Sequence, residues 1–429
     1  MSETAKTRSI GSVTSRHGLG VACGLAAGVW LGAAEAPTKL VNSGLSPFAI
    51  SLCMVAGVFT ARWTVPTLLK GSRYVFADLA ANKHLLITAI LAGMLWAVAN
   101  TLTVFAIRDV GLTIAFPLWN TNSLVGILWG RILFGELKGA GAKNIAKVVF
   151  GALAIIAAAI MLGFSTIQGG GPHASRAVSG ILAALGASLL WGTMYIPYRK
   201  AYISGMNPLS FVTAFTIGEL GTMFALVLAL DGGTKAAVFH SPEVKHMIFW
   251  LFLGGFVWVI GDLFQQFATK YLGIGRGIPL SNTNQIWGVA WGALVFGELA
   301  HADSAHKLLV IAGSVVMILG ALAVSTAVAT SREHTSTNDA LLRECDRYNL
   351  DYHSVLRAYG GTEPDGRGGR GWWDYAIVAA AIGAFIYLGI NARVPSLAVD
   401  PIWLGILVVV LVLTALLGGW GLWKATKFS

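Results

Sequence analysis

Apolar residues dominate twelve stretches of this chain, and polar residues concentrate between them. A helix that spans a membrane needs about 20 predominantly apolar residues. The pattern predicts twelve such helices, at residues 18–38, 45–66, 84–106, 110–134, 146–166, 178–198, 208–230, 247–269, 273–297, 307–328, 373–390 and 402–423. We therefore expect an all-α integral membrane protein.

One segment occurs twice. Residues 117–137 read PLWNTNSLVGILWGRILFGEL and residues 279–299 read PLSNTNQIWGVAWGALVFGEL, so 12 of 21 positions are identical. The same spacing of 162 relates Trp96 to Trp258 and Asn100 to Asp262. Because each repeat has five helices, which is an odd number, the second copy must enter the membrane upside down, as inverted-topology repeats do. The predicted fold is a ten-helix core of two inverted five-helix repeats plus two extra C-terminal transmembrane helices.

The repeat defines the predicted domains. They are a cytoplasmic tail (1–17), the first repeat (18–166), the second repeat (167–328), a cytoplasmic linker (329–371) and a two-helix C-terminal extension (372–429). Within the linker, apolar residues recur at helical spacing at Leu341, Cys345, Tyr348, Tyr352, Val355 and Tyr359. This pattern predicts one amphipathic helix over 338–359, capped by Thr337 or Asn338 and ending at Gly360. The helix either lies on the membrane or packs on a loop.

Composition and charge support a membrane protein with a defined orientation. The chain is 55% hydrophobic and 12% charged, whereas soluble domains carry about 25% charged residues. With a cytoplasmic N-terminus, 21 Lys and Arg residues fall in cytoplasmic segments and seven outside. This bias predicts cytoplasmic termini in a multi-pass membrane protein. It also explains the net charge of +10 without a nucleic-acid partner.

Catalytic motifs do not stand out in the sequence. We find no HExxH, Walker A, GxSxG or CxxC motif, and no dinucleotide fingerprint between a strand and a helix. We therefore expect no enzyme, no catalytic residues, no cofactor and no metal site. The three cysteines are far apart in sequence and imply no disulfide framework.

Three acidic residues lie in apolar segments, and their chemistry suits proton coupling. A carboxylate at the membrane centre costs about 2.5–3.5 kcal/mol on insertion scales, so it usually faces a cavity and serves function. Glu219 is our first prediction for the coupling residue and Asp262 the second. Either acid could instead be a paired or protonated structural group. Glu35 lies nearer a helix end, where exposure to water is less costly.

The Asn-Thr-Asn triplets predict a polar site between the repeats. In a regular helix the two asparagines of a triplet point about 200° apart. Alternatively, the helix is irregular after Pro117 and Pro279, or the triplets only pack. Amides match the hydroxyls of an uncharged sugar. The predicted substrate-binding residues are Asn100, Trp119, Asn120, Asn122, Tyr195, Asn282, Asn284, Gln285, Gln265 and Glu35. Glu136 and Glu298 lie at the ends of the two helices that contain the duplicated segment. They are either surface helix ends or parts of a gate.

The repeated PLxNTN…G…FGE helix resembles the drug/metabolite transporter superfamily. The stretches IPLSNTNQIWGVAWGALVFGEL and GAAEAPTKL are most similar to its glucose/ribose porter and rhamnose–proton symporter group. The resemblance covers about residues 18–328 and implies sugar uptake driven by protons across the bacterial inner membrane. The last hundred residues depart from the ten-helix pattern.

These observations predict a secondary transporter that imports a monosaccharide of the glucose, ribose or rhamnose class by proton symport and alternating access. Its partners would be a neutral sugar, protons and the lipid bilayer, and a homodimer stays open. One alternative is an exporter or exchanger of other small metabolites. Another is a non-transporting membrane receptor or scaffold, against which the buried acids and the paired triplets argue.

Overall fold

A computed structural model describes residues 3–34, 36–39, 45–110, 115, 118–164, 174–297, 299–300, 303–361, 370–393 and 399–428. The description leaves out the side chains of 3–15, 38–39, 110, 163, 174–177 and 243. Glu35, Pro117 and Glu298 therefore lie outside the described residues. Within these ranges every regular element is helical.

In chain order the helices are α1 (Glu3–Ala33), α2 (Ala36–Lys39), α3 (Pro47–Leu69), α4 (Ser72–Ala81), α5 (Leu86–Val110), α6 (Asn122–Leu133), α7 (Gly141–Phe164), α8 (Ala174–Ile203), α9 (Pro208–Leu230), α10 (Ala237–His240), α11 (Pro242–Leu272), α12 (Ile274–Ser281), α13 (Asn284–Ala290), α14 (Ser304–Ser325), α15 (Ser331–Tyr348), α16 (Tyr352–Tyr359), α17 (Trp372–Asn391) and α18 (Pro401–Thr426). In the described ranges nine are long and apolar enough to cross a membrane, namely α3, α5, α7, α8, α9, α11, α14, α17 and α18.

The first helix differs from its prediction at both ends. It begins at Glu3, so most of the predicted tail 1–17 is helical, and it ends at Ala33 instead of continuing to 38. A short helix, α2, follows and contains Pro37. Proline has no N–H to donate back to the residue four positions earlier, so α1 cannot continue through it unbroken.

The long helices pack in pairs that occur twice. Helix α1 packs on α11 and α8 packs on α5. Helix α3 also packs on α11, and α9 also packs on α5. In the predicted repeat, α1, α3 and α5 correspond to α8, α9 and α11. Each contact therefore has a counterpart in which the corresponding helices have exchanged places.

Glycines bring these helices together at backbone distance. A Cβ atom on Gly57 of α3 would lie 2.0 Å from the carbonyl oxygen of Phe252 on α11. A Cβ atom on Gly218 of α9 would lie 1.9 Å from the carbonyl oxygen of Ile90 on α5. No side chain fits at such a distance, so both crossings require glycine.

The two predicted helices that contain the triplets are broken. Helix α12 ends at Ser281 and α13 begins at Asn284. The first copy turns at Asn120 and Thr121 before α6 begins. In both copies the threonine hydroxyl donates to the carbonyl three residues earlier, from Thr283 to Leu280 and from Thr121 to Leu118. These bonds compete with the helical ladder, so the single helices predicted at 110–134 and 273–297 are wrong.

The predicted amphipathic helix is two helices. Helix α15 begins earlier than predicted because Thr330 and Glu333 form a capping box. It ends before Asn349, which has a φ of 53°, and Asp351 then caps α16. Gly360 terminates α16 as predicted. We call α15 and α16 together the cap, because Leu341, Cys345 and Val355 are buried in the main core. The cap packs on helix ends.

The last two helices contact the edge of the bundle and expose most of their apolar surface. Phe385 of α17 packs edge-on against Phe252 and Phe256 of α11. Leu407 and Leu411 of α18 join the cluster around α1. Most of the remaining apolar side chains of both helices are exposed, which suits helices that face lipid.

Candidate functional site

The two triplets meet at the breaks in their helices. The side-chain amide of Asn282 donates to Oδ1 of Asn122 at 2.9 Å, to Oγ of Ser123 at 2.6 Å and to the carbonyl oxygen of Asn120 at 3.3 Å. All four residues are buried. This amide cluster joins corresponding positions of the two copies. The sequence left open whether the helices that contain the triplets are regular or irregular, and in the structure they are irregular.

Several buried polar atoms of the predicted site residues have no hydrogen-bond partner within the described part of the chain. They are Nδ2 of Asn120, Nδ2 of Asn100 and Oδ1 of Asn284. Asn120 is 2% exposed and Asn100 is 7% exposed. A buried amide without a partner is costly, so such groups commonly face a ligand or an ordered water. These three offer both donors and an acceptor.

Three tryptophans form a cluster one helical turn from Asn100. The ring of Trp96 lies 5.8 Å from that of Trp191 and 5.0 Å from that of Trp258, both at steep angles. The indole N–H groups of Trp96 and Trp191 are buried and have no hydrogen-bond partner among the residues that the structure describes. Because Trp96 and Asn100 are four residues apart, they share one face of α5.

A buried charge cluster lies beside these tryptophans. The guanidinium of Arg62 on α3 contacts Oδ2 of Asp262 on α11 at 2.8 Å and Oε2 of Glu219 on α9 at 3.4 Å. All three side chains are completely buried. The guanidinium carbon also lies 4.1 Å from the ring centre of Phe215 and 5.4 Å from that of Trp258.

The sequence analysis did not include Arg62, which the structure places at the centre of this cluster, among the candidate site residues. The signal was present, because an arginine in the apolar run VAGVFTARWTVP is itself unusual for a membrane segment. Its partners are 157 and 200 residues away, so the pairing was not visible in the sequence.

Hydrogen bonds extend the charge cluster along α11. Gln266 donates to Oδ1 of Asp262 at 2.8 Å and accepts a hydrogen bond from the hydroxyl of Tyr202. Gln265 donates to Oγ of Ser281, the last residue of α12. Tyr195 of α8 is also buried. Polar side chains on α11 thus reach both Asp262 and the break at Asn282.

The structure gathers most, but not all, of the predicted substrate-binding residues. Trp119 belongs instead to a small separate cluster with Ala106 and Ala184. Gln285 is buried in the first turn of α13, next to the break. Glu35 lies outside the described residues. A cavity of about 270 Å³ lies elsewhere, and it is lined by Leu68, Leu69, Lys70, Arg370, Trp423, Lys427 and Phe428.

Glu136 closes one end of the bundle. Its carboxylate accepts hydrogen bonds from the backbone N–H groups of Ile274 at 3.1 Å and Gly275 at 2.9 Å, at the N-terminus of α12. Arg199 of α8 pairs with it at 3.1 Å. A carboxylate at a helix N-terminus is favourable because the amide dipoles point toward it. Glu136 thus ties the first copy to the second, and it is a buried, paired residue instead of an exposed helix end. A gate at this position stays a prediction.

The cap covers this same end of the bundle, which we call the cap end. Glu333 of α15 pairs with Arg276 of α12 at 2.8 Å and accepts the backbone N–H of Leu137 at 3.1 Å. Lys270 donates to the carbonyl oxygen of Ala358. Burial lowers the pKa of the neighbouring His334 below its ordinary value, and Arg276 adds to that shift while Glu333 opposes it.

Comparisons with known proteins point to sugar transport. The model of the sugar transport protein family matches residues 46–165 and 182–345, which is most of the chain. The glucose uptake protein GlcU of Staphylococcus xylosus is 23% identical over 242 residues, covering 56% of this chain and 77% of that protein. A protein of Listeria innocua with a provisional sugar-uptake name is 24% identical over 241 residues, covering 55% and 77%.

One crystal structure of another protein shares the fold. It aligns with a TM-score of 0.50 at 15% identity and covers 71% of this chain and 97% of that one. Together with the apolar helices, the family match makes this a multi-pass membrane protein with a role in sugar transport. Because the matched residues include most of the long helices described above, the chain belongs to the sugar transport protein family.

Proposed function

We propose that this protein imports a monosaccharide of the glucose, ribose or rhamnose class by proton symport and alternating access. The observation that carries the proposal is the meeting of the two Asn-Thr-Asn breaks in a buried amide cluster. Irregular backbone inside a membrane protein is tolerated where it is buried or lines a cavity, and transporters place their substrates at such broken helices.

The chemistry of the cluster suits a neutral sugar. Asn120 and Asn100 offer amide donors and Asn284 offers an acceptor. Sugar hydroxyls donate and accept, so amides bind them without a charge that must be neutralised. The aromatic faces of Trp96 and Trp191 would contact the apolar face of a sugar ring, while their indole N–H groups donate to its hydroxyls.

The paired helix contacts support an inverted ten-helix core of the drug/metabolite transporter type. Contacts of α1 and α3 with α11 have counterparts in contacts of α8 and α9 with α5. Two related bundles that share a site between them can rock against each other and expose that site to either side in turn. We further place the protein in the inner membrane with cytoplasmic termini, so that the cap end faces the cytoplasm.

The charge cluster supports proton coupling. Glu219 and Asp262 are fully buried and lie beside the tryptophan cluster. Ionisable residues inside the membrane commonly form proton pathways in transporters. Protonation of this pair on the outer side and release on the inner side would drive sugar accumulation.

Uptake into proteoliposomes tests the proposal. Vesicles with an alkaline interior should accumulate one labelled sugar among glucose, ribose and rhamnose, and collapse of the pH gradient should abolish the accumulation. Absence of both accumulation and exchange for every sugar tested would reject the transport proposal.

Variants of the amide cluster test the site. Asn120→Ala should weaken sugar affinity by roughly 5- to 150-fold, since a lost hydrogen bond to a buried ligand costs about 1–3 kcal/mol. Asn122→Ala, Asn282→Ala and Asn284→Ala should act in the same direction. Asn338→Ala, on the exposed face of α15, is the matched control. Normal affinity in all four variants would make the triplets packing residues.

A further inference from the structure

The buried charge cluster is not symmetric between its two acids. Asp262 has donors on both carboxylate oxygens, with Arg62 at 2.8 Å on Oδ2 and Gln266 at 2.8 Å on Oδ1. Glu219 has a single contact with Arg62, at 3.4 Å on Oε2. Its Oε1 is buried and has no hydrogen-bond partner in the ranges that the structure describes.

This difference separates the roles of the two acids. Hydrogen-bond donors to both oxygens stabilise the ionised form of a carboxylate. Asp262 therefore stays ionised and holds Arg62. A protonated acid needs an oxygen that is free to bear hydrogen, and Oε1 of Glu219 is such an oxygen.

The charges in the cluster determine how many protons it takes. With both acids ionised, two negative charges face one guanidinium, so one negative charge is uncompensated in a fully buried site. An uncompensated buried charge is costly. One proton on Glu219 makes the cluster neutral, and a second proton would leave Arg62 without a counter-charge.

The groups around the cluster do not change the number of protons that make it neutral. Helix α8 contributes the neutral phenols of Tyr195, Tyr198 and Tyr202, which face Asp262. Helix α11 adds the amide of Gln266. Among the described residues that pack on the cluster, the charged groups are Arg62 and its two acids.

The charge cluster has no charged counterpart at the position that the repeat relates to it. At the repeat spacings of 161 and 162, Arg62 corresponds to Met223 and Asp262 corresponds to Asn100, while Glu219 corresponds to Val58. At that related position, the hydroxyl of Thr101 donates to the sulfur of Met223 at 3.2 Å. The related position is therefore neutral, so the charge chemistry exists once per chain.

We propose that Arg62 is a positioning residue that, anchored on Asp262, makes Glu219 the single proton carrier. The inference rests on the proposed function. In the loading step a hydronium ion from the outer water gives its proton to Oε1 of Glu219, so that one O–H bond breaks, another forms and a water molecule is left. Arg62 remains charged and paired with Asp262 throughout. In the release step the same O–H bond breaks, a water molecule on the inner side accepts the proton, and the guanidinium shifts toward the ionised Glu219.

Stoichiometry is the first test, and it uses the parent protein. With the membrane potential held at zero, one proton per sugar sustains about tenfold accumulation for each unit of pH gradient. Glu219→Gln should reduce the ratio of internal to external sugar to about one. Exchange of labelled for unlabelled sugar, measured alongside, should show that the variant still transports. A hundredfold ratio in the parent, or tenfold accumulation by Glu219→Gln, would overturn the single-carrier assignment.

Rescue by a second substitution distinguishes positioning from simple packing. Asp262→Asn leaves Arg62 with Glu219 as its only acid, which keeps Glu219 ionised and should abolish gradient-driven accumulation. Arg62→Met in addition removes that cation and frees Glu219 to take a proton, so the double variant should regain accumulation. Methionine is chosen because it occupies the corresponding position 223.

The controls keep each outcome decisive. Arg131→Met removes an arginine from the exposed face of α6 and should accumulate sugar like the parent. Arg62→Met alone leaves two acids without a cation and can fail to fold, so the comparison of Asp262→Asn with the double variant decides. If those two variants accumulate sugar equally, Arg62 has no positioning role. If the parent neither accumulates nor exchanges sugar, the proposed function fails instead.

Discussion

Replacing Glu136 by glutamine tests whether the cap end is a gate. Glutamine has nearly the same shape, but it loses the negative charge and presents an NH₂ group where a carboxylate oxygen faces the N-terminus of α12. The backbone N–H groups of Ile274 and Gly275 then share one acceptor, and the guanidinium of Arg199 loses its counter-charge.

The geometry sets the size of the effect. Glu136 is 8% exposed and Arg199 is 3% exposed. Removing one partner of a buried pair costs about 3–5 kcal/mol. At the lower figure the closed arrangement loses about 150-fold relative to an open one, provided that the open arrangement lets water reach Arg199.

Thiol labelling measures this shift. A cysteine at Ile278, which is fully buried on α12, reacts with a maleimide only when the cap end opens. The background protein carries serine in place of Cys23, Cys53 and Cys345. Glu136→Gln should raise the labelling rate, up to about 150-fold, because the rate follows the open population.

The matched control lies at the other end of the bundle. Asp303 caps α14 and is exposed, so Asp303→Asn should leave the labelling rate unchanged. A monodisperse Glu136→Gln protein that labels at the parental rate would refute the reasoning, because the contacts of Glu136 would then contribute nothing to closure.

Three further predictions concern packing, topology and pH. Gly218→Ala should lower the melting temperature, because its Cβ would lie 1.9 Å from a backbone oxygen, whereas Gly221→Ala has open space and should not. If the termini are cytoplasmic, an impermeant thiol reagent applied to intact cells should label Lys235→Cys, beyond the far end of α9, and spare Asn338→Cys on the cap. The ordinary histidine pKa is about 6.5 and that of docked His334 is lower, so cap docking should weaken as pH falls through about 6.5; the Ile278 cysteine should then label faster at low pH.

Patterns that repeat along the chain were predictable from the sequence. Apolar runs predicted both ends of nine long helices to within five residues, namely α3, α5, α7, α8, α9, α11, α14, α17 and α18. The duplicated triplets predicted that Asn122 and Asn282 would share a site. Their direct contact at 2.9 Å follows from the pairing of the copies. The breaks were left open because the threonine bonds that favour them compete with helical bonds of similar strength.

Features that depend on single residues in three dimensions were not predictable. Arg62 has a long side chain that can reach water from a helix end, so its sequence position could not distinguish a surface residue from a buried one. The helical spacing of apolar residues continues across Asn349, which hid the turn between α15 and α16. The number of Lys and Arg residues in each loop predicts orientation, and it could not show that Arg276 pairs with Glu333.

The proposed proton and sugar sites are close enough to influence each other without a long pathway. Asp262 and Gln265 are three residues apart on α11, which is about 4.5 Å along the helix axis. Gln265 bonds to Ser281, and the next residue, Asn282, belongs to the amide cluster. On the other side, Arg62 lies 5.4 Å from the ring of Trp258.

A shift of the guanidinium between Asp262 and Glu219 would therefore move groups that contact the sugar site directly. Coupling of this kind requires only that α11 and the break at Asn282 move together, and the hydrogen bond from Gln265 to Ser281 gives a physical reason to expect it.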